Sequence, residues 1–262
     1  MVMRLLATVP TLLLGVAIVG LAIALAIAGL IVVRRFVPLP VLQAHNDVAG
    51  FIYAVLGVIY AVLAPFVLVI VWEEFRDART GVAQEAEMLI ALGETAQQLP
   101  PSIGGPIVDR AQRYARAVIA DEWPRLAHGD SSPEVDRALA DLGTAIHAVD
   151  PTDPRQAVVY DQLLQQFNDV RMQRQALVSD SRLAVPPVLW LVLVLGATLV
   201  VSYTYLYGVV RLQAQLAMTL ALTAIIALVL FVILVLDYPF TGDVRVEPDE
   251  LTRALNVLAS FH

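Results

Sequence analysis

Apolar and polar positions alternate along this chain in long blocks. Leu5–Val33, Val48–Trp72, Leu183–Val210 and Leu212–Leu236 contain no Asp, Glu, Lys or Arg. Each is longer than the roughly 20 residues with which an apolar helix crosses a bilayer, so the pattern predicts four transmembrane helices. A short turn with Pro38 and Pro40 joins the first two, and a shorter one around Gly208 to Arg211 joins the last two. The expected fold is therefore an all-α integral membrane protein with four transmembrane helices as two hairpins. The first hairpin is 1–72 and the second 186–236; a soluble helical-bundle insert, 73–185, separates them, and a tail with a short amphipathic helix, 237–262, follows. The first apolar run has one Arg ahead of it, like a signal peptide. It continues to Arg34-Arg35 without a small-residue cleavage site and is read as a retained span.

The insert reads as helical throughout. The second span is expected to continue past Trp72 until Pro100-Pro101 and the Gly104-Gly105 pair break it. Pro106 then begins a helix that carries Ile107, Tyr114, Val118 and Ile119 toward Trp123. Ser131, three residues before Glu134, fits a capping box with Pro133 in the first turn, and that helix should end near Val149. Asp153-Pro154 opens the last insert helix, with Tyr160, Leu163, Phe167, Val170 and Leu177 at helical spacing until Pro186-Pro187. In the tail, Glu247-Pro248 starts a helix whose stripe is Leu251, Leu255 and Leu258. Its polar face lacks the Lys/Arg richness of a membrane-surface helix, so it is expected to dock on the insert.

Within the second span the pentapeptide IYAVL occurs twice, seven residues apart. Seven residues fall about twenty degrees short of two full helical turns, so a repeat at that spacing stays nearly on one face. Gly50, Ala54, Gly57, Ala61 and Ala64 form a stripe almost without side chains, beside Tyr53 and Tyr60. The first span has a matching rhythm in Gly15, Ala22 and Gly29. Small residues let helix backbones approach in lipid, so one expectation is that spans one and two pack through these stripes. The other is that the stripe faces a central axis in an oligomer and leaves room for ions. Pro65 removes the bond to the Ala61 carbonyl and should kink the span in either case.

Composition agrees with the membrane class: 58% hydrophobic residues and a mean hydropathy of +0.72. The net charge of −7 lies in the insert, where eighteen acids from Glu73 to Asp180 face eleven arginines from Arg76 to Arg182. An acidic insert argues against a nucleic-acid partner. Every basic residue is Arg, which genome base composition explains, and the absence of Cys excludes disulfides and thiolate chemistry.

His45, His128, His147 and His262 form no i, i+4 pair for a metal, and no nucleophile elbow, P-loop or G-x-G-x-x-G occurs. No enzyme activity, catalytic residue, metal or cofactor is expected. No charged side chain lies inside a span away from its edges, which lowers the rank of coupled transport. The polarity left in the spans is Thr198, Ser202, Tyr203, Thr204, Tyr205 and Tyr207 in the third, and Thr219 and Thr223 in the fourth. These either bond within and between helices, with Tyr in the interfacial belt, or line a wet path.

The run from His45, Asn46 and Asp47 through Gly50 to Leu63, continuing at Trp72, Glu73, Glu74 and Phe75, resembles the bestrophin-like domain family of bacterial membrane proteins. The turn Asp237-Tyr238-Pro239-Phe240-Thr241-Gly242, with Val246-Glu247-Pro248 after it, is similar to that family's segment following the last span. Pro65 departs from the aliphatic residue usual there. The resemblance implies kinship with bestrophins, oligomeric anion channels whose cytosolic helical domains lie between paired membrane spans. It places the insert and both termini in the cytoplasm and the protein in the inner (plasma) membrane. Arginine counts do not choose a side, since Arg34, Arg35 and Arg211 flank one face and Arg4, Arg76, Arg79 and Arg182 the other.

Two functions follow as expectations. One is a homo-oligomeric, channel-like protein in the lipid bilayer, with ions as its partners and anions suggested by the resemblance. The other is a membrane-anchored sensor or scaffold whose insert binds a ligand or partner, with Arg110, Arg113 and Arg116 on one helix side as the place to look.

Overall fold

The structure, a computed structural model, describes residue 6, residues 8–181 and residues 185–261. Arg4, Arg182 and His262, and Leu5 and Leu183 at the start of two apolar stretches, lie outside the described residues. Among the described residues all regular structure is helical. In chain order the helices are α1 (Thr11–Phe36), α2 (Leu39–Ala44), α3 (Asn46–Ala96), α4 (Pro101–Ala117), α5 (Trp123–Leu126), α6 (Pro133–His147), α7 (Pro154–Asp180), α8 (Pro187–Tyr203), α9 (Leu212–Leu236) and α10 (Asp249–Ala259). A π-helical turn, Val118–Glu122, links α4 to α5, and a 3-10 turn, Thr204–Leu206, extends α8. By length and composition α1, α3, α8 with its extension, and α9 are able to cross a membrane.

The chain divides into two compact units. The first comprises Met1–Glu73, Val185–Asp237 and Gly242–Val244; the second comprises Glu74–Ala184, Tyr238–Thr241 and Arg245–His262. Helix α3 belongs to the first unit up to Glu73 and to the second beyond it.

In the first unit α1 lies along α9, and the fit is made by rings on bare backbone. A Cβ on Gly15 would stand 2.7 Å from the Phe231 ring, and one on Gly29 would stand 2.8 Å from Tyr205. The small-residue rhythm of the first span therefore receives aromatic side chains from α9 and from the turn after α8. This corrects the expectation that spans one and two pack stripe to stripe within a subunit. Two smooth helix faces at similar spacing show that each admits close approach; they do not show that each admits the other. Helix α3 instead leans on α8 through its tyrosines. Tyr60 covers Gly196, where a Cβ would meet the ring at 2.9 Å. Tyr53 stacks on Tyr203 at 6.2 Å and meets Tyr207 edge-on at 5.7 Å.

The second unit is a helical bundle around one core. Ala78, Val82, Leu89, Leu92 and Ala96 of α3 are buried with Ile107, Ala111 and Tyr114 of α4. Val135, Leu142 and Ile146 of α6 and Leu163, Val170 and Leu177 of α7 join the same core. These positions recur every three or four residues, as an amphipathic helix requires. Helix α10 adds Leu251, Ala254 and Leu258 to the same core, and Gln112 Nε2 donates to the Leu258 carbonyl at 3.0 Å.

Two helix starts differ from the sequence reading. Helix α4 begins at Pro101, with Gly104, Gly105 and Pro106 inside it. The glycine is there for approach: a Cβ on Gly104 would collide with the Ala96 carbonyl oxygen at the end of α3. Ser132, and not Ser131, caps α6, accepting from the Glu134 and Val135 amides at 3.1 and 3.4 Å. Pro133 occupies the first helical position, so the residue just before it must be the cap.

Candidate functional site

The residues of the two recognised motifs anchor chain ends. Asn46, at the start of α3, accepts from the Gly208 amide at 2.9 Å through Oδ1. Gly208 sits so close to α2 that a Cβ would stand 2.5 Å from the Gln43 amide nitrogen. Beside it lies a cluster that sequence reading missed. Arg34 donates to Gln215 Oε1 at 2.8 Å and to the Val209 carbonyl, while Gln215 Nε2 donates to the carbonyls of Thr204 and Tyr207 at 3.1 and 2.9 Å. These carbonyls fall where the third span ends and the chain turns back, and a buried helix end needs such partners. The only sequence signal was one glutamine in the apolar start of α9.

Asp237 follows the last residue of α9 and is buried. It accepts from the Val185 amide at 2.7 Å and from Trp190 Nε1 at 3.2 Å, holding the start of the third span. Burial pushes its carboxyl above the usual aspartate range, against the pull of these two bonds. Gly242 takes a positive φ of 82°, available at low cost to glycine. Asp243 next to it accepts from the Thr11 amide at 2.6 Å and donates its own amide to Thr11 Oγ1 at 3.1 Å, a reciprocal cap on α1. Within the second unit, Phe240 meets Trp123 edge-on at 5.7 Å and the Pro239 carbonyl accepts from the Val246 amide at 2.8 Å. His45 is exposed at the end of α2, Asp47 is exposed in the first turn of α3, and Trp72 and Glu73 are exposed further along it.

The stripe on α3 divides. Ala64 is buried beside Tyr60, and Gly50 lies near the Tyr207 hydroxyl, where a Cβ would come to 3.7 Å. Ala54 and Ala61 are exposed, and a Cβ on Gly57 would meet nothing within 4 Å. Helix α3 runs without interruption through Pro65, which is exposed, as are Phe51, Val58, Val62 and Phe66. The hydroxyls of the third and fourth spans mostly find partners: Thr198 donates to Val194 O and Thr204 to Val201 O, each at 2.7 Å, and Thr204 pairs with Thr219 at 3.1 Å.

The second unit holds a buried polar network. Glu85 lies on the inner stripe of α3 and accepts from the Tyr114 hydroxyl. Arg174 takes a core position of α7 between Val170 and Leu177; it donates twice to Glu122, at 3.1 and 2.6 Å, and once to Asp136 at 2.8 Å. The π-helical turn ends on Glu122, which is 2% exposed, and this widened turn carries its carboxylate into the core. Burial pushes the Glu85 carboxyl up to about 7 even though the Tyr114 hydrogen bond opposes it. Burial and the adjacent Glu85 push the Tyr114 phenol well above its ordinary value. Only the helical register of Glu85 and Arg174 within apolar stripes could have revealed this network. The arginine run splits: Arg110 and Arg113 line a cleft of about 280 Å³ with Arg137, Glu134 and Asp141, whereas Arg116 turns to Gln112 at 3.0 Å. Among the described residues no three of His, Asp and Glu gather as metal ligands.

No curated protein matches the sequence. The chain shares its fold with a tryptophan-to-alanine variant of a bacterial bestrophin homologue from Klebsiella pneumoniae, at a TM-score of 0.71 and 14% identity over 96% of this chain and 97% of that one. A crystal structure of a bacterial bestrophin homologue from the same organism, phased on zinc, gives 0.66 and 15% over 94% and 97%. A proline-to-alanine variant described as a membrane protein gives 0.70 and 14% over 94% and 98%. The bestrophin-like domain matches residues 20–251. With that match over most of its sequence, and with apolar helices able to span a bilayer, this membrane protein belongs to the bestrophin-like family.

Proposed function

We propose that the chain is one subunit of a homo-oligomeric, channel-like protein of the inner (plasma) membrane, with the second span nearest the axis. In this reading 1–72 and 186–236 are membrane hairpins, 73–185 is a soluble helical domain and 237–262 is its tail. The insert and both termini face the cytoplasm, and anions are the first permeant ions to test. The observation that carries the reading is the uncovered face of α3 at Ala54, Gly57 and Ala61. Small residues there leave space along an axis, and an oligomer is what would cover the apolar side chains around them. Native mass measurement and projection imaging of the protein in nanodiscs test this directly. A closed ring with α3 innermost supports the channel; a monomer, or a dimer with α3 outermost, removes it.

The Arg110–Arg113–Arg137 cleft favours a second reading, a sensor whose soluble domain binds a polyvalent anion. A phosphate-dependent rise in melting temperature of the full chain, lost in Arg113→Ala, would support it. The same response in wild type and variant would count against it.

A further inference from the structure

A cavity of about 400 Å³ lies within the first unit between α1, α8 and α9. Small side chains make the room: Ala22 and Ala26 on α1, Ala197 on α8 and Ala227 on α9. Thr223 of α9 also lines it, is 4% exposed, and its hydroxyl has no hydrogen-bond partner. One turn earlier on the same helix face, Thr219 is paired with Thr204. The contrast is local: where the third and fourth spans touch, the threonine is satisfied, and where they part around the cavity it is not.

Depth decides what could satisfy it. Thr223 is eleven residues into α9, which runs from Leu212 to Leu236. At ~1.5 Å per residue this sets its hydroxyl about 16 Å from the helix start, near the middle of a hydrocarbon layer about 30 Å thick. A phospholipid head group does not reach that depth, and a lipid tail would fill the space while leaving the hydroxyl unbonded. The described parts of α1, α8 and α9 carry no Asp, Glu, Lys or His, and the two arginines of α1, Arg34 and Arg35, are in its last turn. A charged ligand would have no counter-charge at the midplane. We propose that this cavity binds an uncharged, membrane-dissolved amphiphile, an aliphatic molecule with a single hydroxyl or carbonyl oxygen that accepts the Thr223 hydrogen bond. The site stands apart from the α3 face and does not depend on whether that face lines a pore.

The test is photolabelling of the full chain in phosphatidylcholine vesicles with octanol carrying a diazirine in its alkyl chain, with adducts located by mass spectrometry. Saturable labelling of peptides around Ala197 and Ala227, displaced by octanol and not by octane, is the expected result. Thr223→Val keeps the shape and removes the hydroxyl. It should raise the half-saturating concentration about fivefold, the size of one neutral hydrogen bond. Ala197→Phe should abolish labelling by filling the space. If that variant does not fold, the competition on the unaltered chain and Thr223→Val still decide. Three outcomes overturn the proposal: unsaturable labelling spread over lipid-facing positions such as Val16, Leu195 and Ile225, equal displacement by octane, or unchanged labelling of Thr223→Val.

Discussion

Glu85 is a buried carboxylate whose proton affinity differs between the folded and unfolded chain. Its ordinary value is 4.5 and burial raises it to about 7, so between those values the folded state holds a proton that the unfolded state has lost. Stability from this group is complete below pH 4.5, falls as pH rises, and is gone above about 7. The groups facing it are Tyr114, Glu122 and Arg174, of which only the arginine favours the ionised form. Glu85→Gln should therefore raise the stability of the second unit at pH 8 by up to about 3 kcal/mol and change it little at pH 5. Thermal melts of the full chain and the variant at both values check the sign, and a larger gain at pH 5 would refute it. Asp237 works in the opposite sense, as an acceptor for two groups that would otherwise be stranded. Asp237→Ala leaves the Val185 amide and the Trp190 indole without that partner, a loss of about 1–3 kcal/mol for each buried group. Reduced resistance to SDS unfolding, followed by tryptophan fluorescence, is the expected outcome.

At the level of elements, the first unit is organised by which glycine faces which ring. Gly15 lies under Phe231 and Gly57 faces open space. Gly15→Ala should separate α1 from α9 and destabilise the subunit by about 1–3 kcal/mol, as overpacking does. Gly57→Ala adds a methyl group where nothing stands and should be neutral, or stabilising by up to about 1 kcal/mol through helix propensity. Equal losses for the two variants in SDS titration would refute this packing. The comparison also shows what the sequence could and could not disclose. The four long apolar helices were legible because their lengths and lack of charge leave no other reading. The helices of the insert were legible because Leu163, Phe167, Val170 and Leu177 follow one period. Partner choice was not legible, since the bareness of Gly15 and Gly29 is a local property while the rings that cover them come from about 180 to 220 residues later. Gln215, Asp243 and Arg174 were missed for the same reason: each satisfies groups distant in the chain, and a lone polar residue does not say whose carbonyl or carboxylate it will meet.

For the whole molecule, the open matter is what covers the exposed side of α3. A protomer that shows Phe51, Val58, Val62 and Phe66 to its surroundings is at ease against lipid or against copies of itself, and the small positions between them decide which. Against lipid, Ala54, Gly57 and Ala61 would form a shallow furrow filled by acyl chains. Around an axis they would border water and passing ions. The chain contains no cysteine, so a single introduced thiol reports its surroundings without background. Gly57→Cys should react with a charged, membrane-impermeant methanethiosulfonate, because water reaches an axial position, and reaction should reduce anion flux from reconstituted vesicles. Val16→Cys, 65% exposed on α1, should stay inert to the charged reagent and react only with a lipid-soluble maleimide. If both thiols respond only to the lipid-soluble reagent, the α3 face is a lipid surface and the second span does not border a conducting path. If Gly57→Cys alone takes the charged reagent while flux is unchanged, the face is wet without being the route of permeation, and the uncovered stripe then belongs to a water-filled vestibule.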